Sequence, residues 1–162
     1  MIPRASDVPA DPAALREACI GLLARREHSR RELRTKLERR FGGEVRAALD
    51  AVIDELAASG LQSDARRAEA LVRGALARGH GPLRIRRDLA AAGLDLELAE
   101  DALPADEGSW AEELDALVLR RFGEAPPADG REWARRARFL AGRGFPEGLV
   151  RRRLGPPPHD RR

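Results

Sequence analysis

Apolar residues step along this chain at three- and four-residue intervals, in nine short runs broken by glycine, proline or serine. That spacing puts the apolar side chains of each run on one helical face. The first helix is expected over 13–27, with Leu15, Ala18, Cys19, Leu22 and Leu23 inward and Pro12 tolerated in its first turn. Ser29 opens a second helix with Glu32 three residues on, the pattern of a reciprocal cap. Leu33 and Leu37 follow on one face, and Gly42-Gly43 end it. Val45, Leu49, Val52, Ile53 and Leu56 make a third, stopped at Gly60. Ser63 or Asp64 caps a fourth, which buries Ala68, Leu71, Val72 and Leu76 and ends at Arg78-Gly79. After the turn His80-Gly81-Pro82, a fifth buries Ile85 and Leu89 up to Gly93, and a short sixth shows Leu96, Ala99, Ala102 and Leu103 before Pro104. A seventh starts at Ser109 with Trp110, Leu114, Leu117 and Val118. An eighth carries Trp133, Ala137 and Leu140, and a ninth begins near Pro146 with Leu149, Val150 and Leu154.

The runs repeat in threes. Leu37, Leu89 and Leu140 stand 52 and 51 residues apart, each before a glycine-containing break: Leu37-Glu38-Arg39-Arg40-Phe41-Gly42, Leu89-Ala90-Ala91-Ala92-Gly93-Leu94 and Leu140-Ala141-Gly142-Arg143-Gly144-Phe145. A fixed period of this size predicts a tandem array of small helical units, an architecture that presents long surfaces to large partners. The expected organisation is a loose arm over 1–11, three-helix modules over 12–61, 62–106 and 107–154, and a disordered tail over 155–162, where Pro156-Pro157-Pro158 cannot continue a helix. Units of about 45 residues lie near the margin of independent stability, so neighbours are expected to support one another.

Composition sharpens the reading. Of 162 residues, 43% are hydrophobic but only 4% aromatic, with no tyrosine, so the core rests on leucine, alanine and valine and almost no strand is expected. Thirty basic residues against 27 acidic leave a formal charge of +3. Every basic residue but Lys36 is arginine, whose planar fork suits carboxylate and phosphate partners. A single cysteine, Cys19, excludes an internal disulfide and fits a reducing cytoplasm. No apolar stretch reaches the roughly 18 residues that a bilayer span needs, and Met1 to Asp11 lacks the hydrophobic run of a secretory signal.

Charge is patterned along the array. Arg25, Arg26, Arg30, Arg31, Arg34, Lys36, Arg39, Arg40 and Arg46 face only Glu27, Glu32, Glu38 and Glu44 in the first unit, a local excess of +5. Arg30, Arg31 and Arg34 are expected on the side of the second helix away from Leu33 and Leu37. Arg84, Arg86 and Arg87 recur on the fifth helix, and Arg135, Arg136, Arg138 and Arg143 on and after the eighth. The plain interpretation is a solvated face laced with exposed ion pairs that add little stability. Recurrence on each second helix points instead to a stripe of positive potential that draws in an acidic protein or a polyanion. The candidate contact residues are therefore Arg25, Arg26, Arg30, Arg31, Arg34, Lys36, Arg84, Arg87, Arg135, Arg138 and Arg143. Between Asp95 and Asp115 the sign reverses, with nine acids and no base, which favours a solubilising back face.

Catalytic groupings are missing from the sequence. His28 and His80 sit at helix breaks, Cys19 has no nearby histidine, and no Walker loop, metal-ligand cluster or nucleophile elbow occurs. The expectation is a non-enzymatic protein without cofactor or metal. A helix-turn-helix pair formed by the second and third helices, acting as an autonomous DNA-binding protein, is the competing possibility.

Four stretches then resemble one known family. Leu22-Leu23-Ala24-Arg25-Arg26-Glu27-His28-Ser29-Arg30-Arg31-Glu32-Leu33, Gly60-Leu61-Gln62-Ser63-Asp64-Ala65-Arg66, Arg78-Gly79-His80-Gly81-Pro82-Leu83-Arg84-Ile85 and Arg138-Phe139-Leu140-Ala141-Gly142-Arg143-Gly144-Phe145 are similar, in order and spacing, to the RecX regulatory proteins, modulators of the RecA recombinase. The resemblance implies an all-α, elongated and curved monomer of three tandem three-helix modules. It also implies binding to RecA and to RecA filaments on DNA, with suppression of ATP hydrolysis, strand exchange and repressor cleavage, and so a part in DNA repair, recombination and the SOS response. Direct DNA contact would be weak. Two positions depart from the family pattern: Arg67 stands where an aromatic is usual and His80 where tyrosine is common.

Overall fold

The structure is a computed structural model that describes residues 11–158; the expected arm over 1–10 and the tail from His159 onward lie outside the described residues. Eight α-helices are present among them: α1 (Pro12–Leu23), α2 (Arg30–Phe41), α3 (Arg46–Ala58), α4 (Asp64–Ala77), α5 (Pro82–Ala91), α6 (Glu107–Phe122), α7 (Gly130–Gly142) and α8 (Glu147–Leu154). Two 3-10 segments, Gly43–Val45 and Leu96–Ala102, complete the helical content, and no strand occurs among the described residues.

Several boundaries differ from expectation for local reasons. Asp11 belongs to the fold rather than to an arm, because its side chain accepts the Ala13 N–H and caps α1. Helix α1 stops at Leu23 instead of 27, because the carbonyls there are taken up in a tight turn by the N–H groups of Ala24, Arg25 and Arg26. Ser63 is the cap of α4, receiving the Arg66 N–H at 3.2 Å. The sixth helix is a 3-10 segment broken at Ala99 (φ −125°, ψ 16°). Its apolar residues Leu96, Ala99 and Ala102 stand three apart, a spacing that fits the three-residue turn of a 3-10 helix as well as one face of an α-helix. Asp106 starts α6 two residues earlier than expected, accepting the Ser109 N–H at 2.7 Å.

The described residues fall into two compact units, 11–70 with 90–98, and 71–89 with 99–158. In the first, α1, α2 and α3 enclose a core of Leu15, Cys19, Leu33, Leu37, Val45, Leu49, Val52, Ile53 and Leu56. In the second, α6, α7 and α8 close over Leu114, Leu117, Val118, Leu140, Phe145, Leu149 and Val150. Trp110 packs edge-on against Phe145 with ring centroids 6.5 Å apart, and Trp133 donates its indole N–H to the Gly155 carbonyl at 2.9 Å. Both tryptophans thus serve the third module's packing, as their place in the apolar pattern predicts.

Each unit contains the same kind of joint. In the first, Ser29 at the start of α2 donates its hydroxyl to the Ala92 carbonyl (2.5 Å) while accepting the Glu32 N–H (3.0 Å). The aliphatic stem of Arg31 lies where a side chain on Gly93 would be, 2.5 Å from that position. In the second, the start of α5 meets the end of α7. Gly81 donates its N–H to the Arg143 carbonyl (2.7 Å) and Leu83 donates to Gly144 (3.0 Å). Any Cβ on Gly144 would sit 2.5 Å from Arg84 Cβ, and Gly144 holds φ at +94°. At the second joint the start of α5 is thereby satisfied by carbonyls at the end of α7, which pairs opposite ends of the helix dipole and consumes orphan donors; at the first, the Ser29 hydroxyl makes the bond instead.

Candidate functional site

The sequence reading named eleven basic residues, and the structure sorts them into separate settings. Arg30, Arg31 and Arg34 line one groove of about 540 Å³ with Thr35, Glu38, Arg46, Asp64 and Gly93, all within the first unit. They are not simply turned away from the core. Arg34 donates Nε and Nη2 to Asp50 Oδ1 on α3 at 2.8 and 2.7 Å, and Arg30 pairs with Asp54 on the same helix. Arg46, counted in the first basic run but not among the contact candidates, joins the groove through a fork to Glu38 at 2.6 and 3.3 Å. Glu38 consequently titrates below the ordinary carboxylate range, chiefly through that bond. Arg31 is exposed, with its stem on Gly93 and no ion pair among the described residues.

The other first-unit candidates face elsewhere. Lys36 approaches the buried His28, Nζ to Nε2 at 3.1 Å, and Arg26 reaches Glu32 at 3.3 Å. Arg25 and Arg40 border a different groove, floored by Ala14, Ala18, Gly21, Leu22 and Phe41, with Arg40 stacked 5.0 Å from the Phe41 ring. The departure at position 67 has a direct explanation. Arg67 donates to both oxygens of Glu32 at 2.9 and 3.0 Å, so an ion-pair fork fastens α4 to the cap of α2.

In the second unit, Arg84 stands 4.0 Å from Asp88, and Arg143 lies 5.1 Å over the Phe139 ring while donating to the Arg78 carbonyl at 3.0 Å. Arg135 pairs with Glu132 at 3.6 Å and borders a hollow formed with Arg121, Phe122, Arg136 and Phe139. Arg87 and Arg138 are exposed. Sequence reasoning placed Arg136 in the basic run of the eighth helix but left it out of the contact candidates. It is buried, bonded to Glu132 at 2.6 Å and to the Ala125 carbonyl at 2.8 Å, and stacked 4.9 Å from the Phe122 ring. The available signal was Glu132 four residues ahead of it on the same helical face, the arrangement of an ion pair.

The Cys19 thiol is buried, which pushes its pKa up to about 11 and keeps it unreactive at neutral pH. Among the described residues, no group of histidine, cysteine and carboxylate side chains has metal-binding proximity, and no helix is long and apolar enough to cross a membrane.

Modules of three helices in tandem define a class: all-α, tandem-repeat proteins. Comparison with known proteins agrees module by module. Residues 16–56, 63–103 and 111–154 match the family models described as the first, second and third three-helix domains of RecX. A protein named "Regulatory protein RecX" from Acidithiobacillus ferrooxidans is 50% identical over 147 residues, covering 90% of this chain and 89% of its own length. Its namesake from Xanthomonas axonopodis pv. citri is 46% identical over 135 residues, covering 83% and 82%. A crystal structure of regulatory protein RecX superposes with a TM-score of 0.69 at 22% identity, over 88% of this chain and 72% of that one. RecX from Lactobacillus salivarius gives 0.64 at 21% identity, over 88% and 94%. The chain belongs to the RecX family.

Proposed function

We propose that this chain is a non-enzymatic regulator that binds RecA and RecA filaments on DNA and restrains ATP hydrolysis, strand exchange and repressor cleavage. The observation that carries this reading is family membership across all three modules, joined to a first-module groove lined by four arginines. A regulator of this kind acts by binding one filament state better than another, which shifts the population toward that state. Arg30, Arg31 and Arg34 of the first module are the leading contact residues, followed by Arg84, Arg87, Arg135, Arg138 and Arg143.

The autonomous DNA-binding alternative is weakened by the face that a recognition helix would present. On α3 that face carries Asp50, Asp54 and Glu55 against Arg46, and such carboxylates repel phosphate.

The test is RecA-dependent ATP hydrolysis on single-stranded DNA, titrated with this protein. Wild type is expected to inhibit, and the triple reversal of Arg30, Arg31 and Arg34 to glutamate to inhibit at least tenfold less well. Equal inhibition by both would remove this surface from the contact. Absence of inhibition by wild type would remove the reading altogether.

A further inference from the structure

The first-module groove holds its own imitation of a ligand. Asp50 and Asp54 stand one turn apart on α3, opposite Arg34 and Arg30, which stand one turn apart on α2. Their side chains are 37% and 65% exposed, so both carboxylates can leave for water at small cost. Arg31 borders the same groove with no ion pair among the described residues, and Thr35 is exposed beside it. Asp64 and Glu38 are committed elsewhere. Asp64 accepts the Arg30 backbone N–H (2.9 Å) and the Gln62 amide (2.8 Å), and Glu38 holds Arg46.

We propose that this groove docks an acidic polypeptide segment, a helix with two carboxylates one turn apart, and that Asp50 and Asp54 are built-in competitors which the partner's carboxylates replace at Arg34 and Arg30. Arg31 makes the first contact. Exchange then proceeds one arginine at a time, so no guanidinium is left unpaired. This rests on the reading of the chain as a partner-binding regulator and specifies the chemistry that its first module recognises.

Carboxylate is the group that these guanidiniums already hold: Arg34 directs Nε and Nη2 at one oxygen of Asp50, and Arg30 pairs with Asp54. In addition, Glu38, Asp50, Asp54 and Asp64 all remain in or beside the groove, where they repel a phosphodiester backbone with a charge at every step but tolerate a peptide carrying two.

Fluorescence anisotropy on the full-length protein tests this without RecA. The probes are a labelled alanine-glutamine helical peptide with glutamates at i and i+4, and a labelled single-stranded DNA oligonucleotide. The double variant D50N/D54N is expected to bind the peptide tighter, by about two- to fivefold per carboxylate removed. Arg31→Ala is expected to bind it more weakly. The charge-matched control D95N/E97Q, at exposed acids outside the groove, is expected to leave peptide affinity within twofold of wild type. If D50N/D54N does not tighten peptide binding while its unfolding temperature is unchanged, the competitor role is wrong; D50S/D54S repeats the measurement with smaller side chains. If the control tightens binding as much, the effect is bulk charge and the proposal falls. If the oligonucleotide tightens and the peptide does not, the partner is a nucleic acid and the acidic polypeptide is excluded. Each result is independent of RecA ATPase inhibition, so the two readings fail separately.

Discussion

At Glu32 one carboxylate receives the Ser29 N–H (2.9 Å), both arms of Arg67 (2.9 and 3.0 Å) and Arg26 (3.3 Å). Burial raises its pKa, but the bonds from Arg67, Ser29 and Arg26 outweigh burial and hold it at about 2. A carboxylate depressed in the folded state binds protons more readily when the chain unfolds. Its stabilisation is therefore full above the ordinary value near 4.5 and is lost as pH falls toward 2. Chemical denaturation at pH 7 and pH 3 should show Glu32→Gln costing about 2–3 kcal/mol at the first pH and much less at the second. His28 acts in the same direction at milder acidity. Its Nδ1 lies 3.0 Å from the Arg26 carbonyl, which only accepts, so that nitrogen carries the proton and Nε2 receives the Lys36 ammonium. Burial, with the Arg26 and Lys36 charges, lowers its pKa below 6.5, so stability contributed by the neutral ring declines as pH drops below that value. Replacing His28 with asparagine should flatten the slope of stability between about pH 6.5 and 5, at the expense of stability at pH 7.

At the scale of elements, helix ends determine much of the architecture. Ser29 both caps α2 and holds the carbonyl of Ala92, so Ser29→Ala removes a cap and strands a buried acceptor. Urea denaturation should register a loss of about 2–3 kcal/mol, larger than an ordinary cap deletion. The joint between α5 and α7 admits no side chain at Gly144, where φ is +94° and Arg84 lies 2.5 Å from any Cβ. Gly144→Ala should destabilise by about 2–4 kcal/mol, while Gly142→Ala, with open space around it, should be nearly neutral. The sequence marked these glycines only as breaks. Their partners lie about sixty residues away, and no periodicity along the chain reports which break meets which. The sixth helix failed as an α-helix for a local reason: apolar residues three apart at Leu96, Ala99 and Ala102 fit a 3-10 turn as well as an α-helix, and the break at Ala99 is not written in that spacing.

At the scale of the whole molecule, a formal charge of +3 hides a strong local imbalance, and arginine-based recognition predicts salt dependence. Inhibition of RecA ATPase should weaken several-fold as salt rises from 50 to 200 mM, about in proportion to the number of arginines engaged. The Arg30/Arg31/Arg34 reversal should show a shallower dependence than wild type. Groove membership was only partly legible. Arg30, Arg31 and Arg34 were identifiable from charge and helical face, whereas Arg46 enters through a different helix and Asp50 and Asp54 were invisible as its neutralising wall.

The apolar period, the caps and the 51–52-residue recurrence marked eight of the nine expected helices and their grouping into triplets, and four short stretches carried the resemblance to the family, because these properties are written in residues close together along the chain. Tertiary structure alone decided which arginines are free and which are spent. It also showed why Arg67 is tolerated, and that two distant glycine-bearing motifs are halves of one contact. Charge type is a property of a residue, but its availability depends on what packs beside it, and that neighbour lies tens of residues away.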